Sequence, residues 1–167
     1  MNNSIIEHLE FETGRLIFKD VRYMLIRPDV LISLQKSIEA ELGSEKCSEI
    51  MMAAGNMGGS RSSQRFKEAF GYSEREIVEF MCGMGGEIGW GAFSLVEFEV
   101  EAGTMIIEVI DSPYAAVYGL SETPVCHLIR GVMAGLGAGV FDADVRSEET
   151  ACAATGASVC RFEVRRQ

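Results

Sequence analysis

The chain has 167 residues, 47% of them hydrophobic, with a formal net charge of -10 at pH 7. That length suits one sizeable core and is short for two ordinary domains, so a single domain over 1–167 is expected. The acidic balance opposes nucleic-acid binding, no apolar run approaches the roughly 20 residues of a membrane span, and the opening "MNNSIIEHLEFE" reads as neither secretory leader nor anchor, so a cytoplasmic protein is expected.

In chain order, "LEFETGRLIFKDVRYMLI" alternates around Thr13-Gly14 and predicts an opening hairpin in the same sheet as later strands. "RPDVLISLQKSIEAELG" predicts a helix that stops at Gly43, with Val30, Leu31, Leu34, Ile38 and Leu42 as its apolar face. "SEKCSEIMMAAGNMGG" starts as a helix and runs into glycines, read as helix stops and tight packing. "QRFKEAF" and "SEREIVEFMCGMGGEI" then predict two further helices, the second opened by a capping box from Ser73 to Glu76. Neither "GNMGGS" nor "GMGGEIGWG" follows a strand and opens a helix with Lys-Ser/Thr, which argues against phosphate and dinucleotide loops. From Trp90 the pattern turns to β: "AFSLVEFEVEAGTMIIEVI" predicts two strands joined at Ala102-Gly103. "SETPVCHLIRGVMAGL" predicts a helix with Pro124 at its first position and Cys126 in its first turn. Gly131, Gly135 and Gly139 recur along it, and each interior glycine costs a helix about 1 kcal/mol, so close approach of that helix to the sheet is expected in return.

The last third carries the chemistry. In "VFDADVRSEE" Phe141, Ala143 and Val145 alternate with polar residues and Glu149 falls in the inward register of that strand. After the turn "AATGAS", Cys160, Phe162 and Val164 alternate with Arg161, Glu163 and Arg165, so a second strand also carries its cysteine inward. A buried carboxylate facing buried thiols is costly unless a cation compensates. Cys126, Glu149, Cys152 and Cys160 therefore read as one zinc site, three thiols and a carboxylate supplying four anionic ligands. Buried free cysteines are the plain alternative, and disulfides a further one that an odd count of five cysteines and the unexplained Glu149 speak against. Cys47 and Cys82 lack partners at ligand spacing and read as core, and His127 and His8 read as non-ligands.

The stretch "SETPVCHLIRGVMAGLGAGVFDADVRSEETACAATGASVCRFEV" resembles the 4-vinyl reductase domain, the hydrocarbon-binding module also found in the sensor half of xylene- and phenol-responsive transcription activators. The likeness extends back through "RLIFKDVRYMLIRPDVLISLQKSIEAELG", "AAGNMGG" and "GWGAFSLVEFEV". It implies zinc bound at Cys126, Glu149, Cys152 and Cys160. It also implies an α/β (α+β) fold similar to that of the TRAPP vesicle-tethering subunits: an antiparallel sheet with helices on one side, an N-terminal hairpin and a C-terminal zinc-stapled hairpin.

Phe66, Phe70, Phe80, Met84, Trp90, Met105, Val109 and Tyr118, with Met81, Ile107 and Tyr114, supply aromatic and flexible apolar surface that suits either a cavity or an ordinary core. The resemblance implies a cavity for a hydrocarbon or aromatic ligand. Where phenol sensors hold the hydroxyl with a His and a Trp, Gly85 and Val109 stand near those places, so phenol is expected to rank below larger hydrocarbon-like or tetrapyrrole-like molecules. A binding module, sensor or carrier, is favoured over an enzyme. No flavin, nicotinamide, iron–sulfur or hydrolase pattern is present, and a four-ligand metal site leaves no position for water. The resemblance leaves a subunit of tetrapyrrole vinyl reduction and a scaffold as alternatives. A hairpin sharing a sheet with later strands, in a family that often pairs, leads to the expectation of a homodimer packed through "LEFETGRLIFKD", and the lack of an ATPase or DNA-binding segment after Gln167 to that of output through a separate signalling or enzyme partner.

Overall fold

Residues 4–167 are described by the computed structural model, in which five α-helices and two antiparallel sheets follow one another in blocks. Residues 1–3, where the acidic opening begins, lie outside the described residues. The expected hairpin has a third strand: β1 (Glu10–Glu12), β2 (Arg15–Phe18) and β3 (Val21–Tyr23) form a meander. Its first turn uses Gly14 at φ 76°, and its second uses Lys19 and Asp20, both at positive φ. Positive φ at both central residues is the pattern of a type I′ turn, which Asn-Gly usually marks; Lys-Asp gives no such sign. The meander is a sheet of its own and does not join the later strands, contrary to expectation.

α1 (Pro28–Leu42) starts on its proline and stops at Gly43, where φ is 83°. Its buried residues are Ile32 and Gln35, whereas Val30, Leu34 and Leu42 of the expected apolar face are 51%, 53% and 57% exposed. Hydrogen bonding accounts for the difference. Gln35 Nε2 donates to the Val125 carbonyl at 3.0 Å and to Glu39 Oε1 at 3.1 Å, so the helix docks through this amide nitrogen and turns Leu34 and Leu42 out.

α2 (Ser44–Phe70) is one continuous helix of 27 residues, running through the glycines read as stops and taking in "QRFKEAF". Packing overrides propensity there. A Cβ at Gly55 would lie 2.2 Å from the Leu128 carbonyl oxygen, and one at Gly59 2.2 Å from that of Val132. The glycines of α5 (His127–Phe141) reciprocate: Gly131 lies on the Met52 backbone and Gly135 on that of Asn56. The glycine stripe thus approaches α2 rather than the sheet. Gly137, on another face, is the one that meets the sheet, against Val164. α3 (Glu74–Glu87) opens with the expected capping box, the Ser73 hydroxyl accepting from Glu76 N–H and the Glu76 carboxylate from Ser73 N–H.

The second sheet has the order β4 (Ala92–Glu99), β5 (Thr104–Ile110), β7 (Cys160–Arg166), β6 (Val145–Ala151), every pair antiparallel. A short helix not foreseen, α4 (Pro113–Tyr118), leads from β5 toward Cys126. The strand drawn from Phe141 begins only at Val145, because α5 continues to Phe141 and ends at Asp142 with φ 47°. Registers align the inward side chains in rows: Phe93–Val109–Cys160, Leu95–Ile107–Phe162–Glu149 and Phe98–Met105–Val164–Ser147. Bulges at Leu95/Glu97 and Glu149/Ala151 adjust the two edge strands, and α3 and α5 cover this face. Among the described residues no helix is long and apolar enough to cross a membrane.

Candidate functional site

The row Phe93–Val109–Cys160 joins two features of the interior: a cluster of thiols at one end and an apolar cavity at the other. The cluster comes from three places in the chain. β7 presents Cys160 inward and the end of β6 presents Glu149, as strand parity demands. Cys152 opens a single 3-10 turn (Ala153–Thr155), its carbonyl fixed by the backbone N–H groups of Thr155 and Ala157. Cys126 is the N-cap of α5 rather than part of its first turn, so Pro124 lies ahead of the helix and not at its first position. All five cysteines are free, and all five are buried.

The candidate ligand atoms of Cys126, Glu149, Cys152 and Cys160 lie within 4.8 Å of one another, and all four residues are buried. Cys126 Sγ and Cys160 Sγ are 3.7 Å apart. Tetrahedral zinc with Zn–S bonds of about 2.3 Å needs ligand sulfurs about 3.8 Å apart, so this edge has the right length. One carboxylate oxygen, Glu149 Oε2, accepts from Cys126 N–H at 2.9 Å, while Oε1 is buried with no hydrogen-bond partner. A buried carboxylate oxygen left unpaired is costly, and a cation would satisfy it. Cys160 Sγ also accepts from Ala153 N–H at 3.3 Å, the kind of outer contact that orients a ligating thiolate.

Protonation in this cluster is unequal. Hydrogen bonds from the Cys126 and Cys152 thiols pull Cys160 down to about 4, against the opposing effect of burial. Donation to those neighbouring sulfurs, followed by burial and the charge of Glu149, pushes Cys126 well above the ordinary thiol range. Burial, then contact with Cys152, raises Glu149 to about 8. Three soft sulfurs and a carboxylate packed this tightly could hold a metal ion, which would replace the shared protons and tie the start of α5 to the β6–β7 hairpin.

The cavity, of about 150 Å³, is lined by α3 through Met81, Met84 and Gly85, with Ile88 just beyond it. Trp90, Phe93 of β4, Tyr23 of β3, Gly58 and Ser62 of α2, and Val132 and Met133 of α5 complete it. Of the sequence candidates, Met81, Met84 and Trp90 are therefore brought together here. Phe66, Phe70 and Phe80 instead form a separate aromatic cluster with Phe18 and Tyr72, ring centroids 5.0–6.3 Å apart. Met105 and Val109 are fully buried in the sheet face. Tyr118 lies apart, donating to Glu39 at 2.8 Å beneath the Lys36 ammonium. Tyr23, Val132 and Met133 gave no sequence signal because they lie outside the aromatic and methionine-rich middle of the chain, and strand alternation marks Phe93 only as core. The glycine at 85 is matched to its neighbour: a Cβ there would stand 2.9 Å from the Phe93 ring, which fills that space. Trp90 touches Tyr114 edge to face at 5.6 Å.

His127 is half-buried, with its pKa lowered by burial and by Arg130, and its Nδ1 has no hydrogen-bond partner; it is not among the four clustered ligand atoms. His8 lies exposed on a 3-10 turn. Cys47 and Cys82 are buried in helices, as expected of core residues.

Residues 5–101, more than half of the chain, match the family described as activator of aromatic catabolism. The chain belongs to that family. Residues 105–166 of this aromatic-catabolism activator family member match the 4-vinyl reductase domain, so the match takes in the strand that carries Cys160. No curated protein sequence matches the chain. Among solved structures, the phenol-responsive sensory domain of the transcription activator PoxR, solved with phenol, superposes with a TM-score of 0.85 at 21% identity, over 97% of this chain and 86% of that one. A trafficking protein particle complex subunit 3 from Naegleria fowleri, covalently bound to palmitic acid, gives 0.60 at 15% identity, over 84% and 95%. A vinyl-4-reductase family protein from Methanocaldococcus jannaschii gives 0.54 at 15%, over 83% and 77%. At these identities the likeness is one of fold, and it bears out the TRAPP-like α/β architecture.

Proposed function

We propose that this chain is a small-molecule-binding domain, a sensor or carrier for a single-ring aromatic or similarly compact apolar ligand, with Zn²⁺ at Cys126, Glu149, Cys152 and Cys160 as a structural staple. The observation that carries the reading is the apolar cavity around Met84 and Trp90, lined by residues from both family-matched segments. Its size decides the ligand class. About 150 Å³ is the volume of an engineered cavity in another protein that takes up benzene, and it lies well below the roughly 300–1,000 Å³ of pockets for drug-sized ligands. A tetrapyrrole does not fit it, which reverses the ranking expected from sequence.

A binding role is favoured over catalysis. The structure that superposes over 97% of the chain is described as a sensory domain, and four protein ligands would leave a bound zinc no open position. The reading includes one domain over 1–167, a cytoplasmic location in keeping with five free cysteines, and output through a separate partner chain. It also includes a homodimer, supported by the exposed apolar side chains of the meander and the segment after it, Phe11, Met24 and Leu25, at 78%, 79% and 89% exposure. Pairing would bury them, and light scattering at micromolar concentration should give twice the chain mass.

Thermal denaturation with a panel of one-ring aromatics tests the main claim, because a ligand that binds only the folded state raises Tm in a concentration-dependent way. A flat response to every compact apolar compound would remove the binding reading and favour a scaffold. Turnover of a vinyl-bearing tetrapyrrole by the isolated chain with NADH or reduced flavin would replace it with an enzyme.

A further inference from the structure

The cavity is apolar except at three side chains, Tyr23, Ser62 and Trp90. Of these, the Tyr23 hydroxyl alone is a buried polar atom with no hydrogen-bond partner. Tyrosine hydroxyls that lie in an interior usually find a partner, because leaving the group unpaired costs much of its hydration. Apart from the Ser62 hydroxyl, to which Tyr23 makes no hydrogen bond, and the Trp90 indole, the lining is thioethers, aliphatic chains, a Phe ring and glycines, none of which supplies a strong acceptor. The anomaly is therefore local to the cavity.

We infer that Tyr23 is the specificity-determining residue of the cavity, its hydroxyl donating to a single oxygen acceptor on a one-ring aromatic ligand. This rests on the small-molecule reading above and deepens it from apolar ligands in general to oxygenated ones. The placement suits the role. Tyr23 is the last residue of β3, so it enters from the N-terminal sheet, while the apolar walls come from α2, α3, α5 and β4. An aromatic ring seated among Met81, Met84 and Trp90 would have its apolar surface covered, with the Tyr23 hydroxyl the one unpaired buried polar atom among the lining residues. Burial raises the pKa of the Tyr23 hydroxyl, so it remains a donor across the physiological range. A hydrocarbon in the same place would leave the hydroxyl unpaired, which is the basis for discrimination.

The test compares acetophenone with α-methylstyrene, a near-isosteric pair that differs by a carbonyl oxygen in place of a methylene. Affinities are measured by calorimetry on the full chain, on Tyr23→Phe and on Tyr118→Phe, a tyrosine that lies apart from the cavity. Tyr23→Phe should weaken acetophenone about three- to tenfold and leave α-methylstyrene within about twofold, as expected for loss of one hydrogen bond, while Tyr118→Phe changes neither. Without ligand, Tyr23→Phe should melt no lower than the parent, because it deletes a hydroxyl that has no partner. Equal losses for the two ligands, or none, would overturn the role of Tyr23 while binding of either compound left the small-molecule reading standing. A lower melting temperature of ligand-free Tyr23→Phe would also overturn it, by showing that the hydroxyl is already bonded. Failure of both compounds to bind the parent chain would overturn the cavity reading and this inference together.

Discussion

Gly135 of α5 lies flat against Asn56 of α2, so close that a Cβ at position 135 would stand 2.2 Å from the Asn56 carbonyl oxygen and 2.6 Å from the Ser60 nitrogen. Both are backbone atoms, which cannot swing aside as a side-chain tip can. Gly135→Ala must therefore push the helices apart, and a loss of about 2–3 kcal/mol or more is expected, at the upper end for overpacking. Gly83 in α3 has open space around its Cβ position, and Gly83→Ala should instead stabilise by about 1 kcal/mol through helix propensity. Denaturant titration of the two variants checks the pair, and equal effects would contradict the close contact.

The thiol cluster gives a second contrast among buried cysteines. Elemental analysis should find about one zinc per chain, as four-ligand structural sites hold. Cys152→Ser should then lower the melting temperature far more than Cys47→Ser, because Cys47, though equally buried, only donates to the Gln35 carbonyl. Equal melting temperatures, or a folded protein free of metal, would contradict the staple.

Protons must leave before a cation enters. In the metal-free fold Glu149 is raised to about 8 and Cys126 is raised further, so both are protonated at pH 7, whereas Cys160, lowered to about 4, is already a thiolate. Zinc binding at pH 7 should therefore release at least the protons of Glu149 and Cys126. Affinity should fall with pH already above 8, where Cys126 holds its proton, more steeply below about 8, where Glu149 also takes one, and more steeply again only as pH approaches about 4 and Cys160 protonates. Calorimetry in two buffers of different ionisation enthalpy measures the release, and proton-neutral binding would contradict it.

Strand parity made the metal cluster legible: Glu149, Cys160, Phe162 and Val164 follow period-two alternation, and the structure keeps that register through a bulge after Glu149. Capping chemistry at Ser73 and the stop at Gly43 were equally local and equally readable. The glycines of α2 misled because their cost to a helix is local while their compensation, contact with α5, lies some 70 residues away in "LIRGVMAGLG". The face of α1 misled for a related reason, since Gln35 finds its acceptor at Val125, across the fold. The cavity was only half visible. Met84 and Trp90 lie in the aromatic and methionine-rich stretch, but Tyr23 and Met133 arrive from opposite ends of the chain, and nothing in local composition links them.

Trp90 is the single tryptophan of the chain and lines the cavity, so its fluorescence reports occupancy without interference from another indole. Titration with toluene and other one-ring aromatics tests the central claim most directly. A saturable change in Trp90 emission is predicted, with a midpoint that shifts when Met84→Trp fills the space, read in that variant by calorimetry to avoid the second indole. An emission that stays constant or drifts linearly with every compound, in a protein shown to be folded, would contradict the assignment of this cavity as a ligand site.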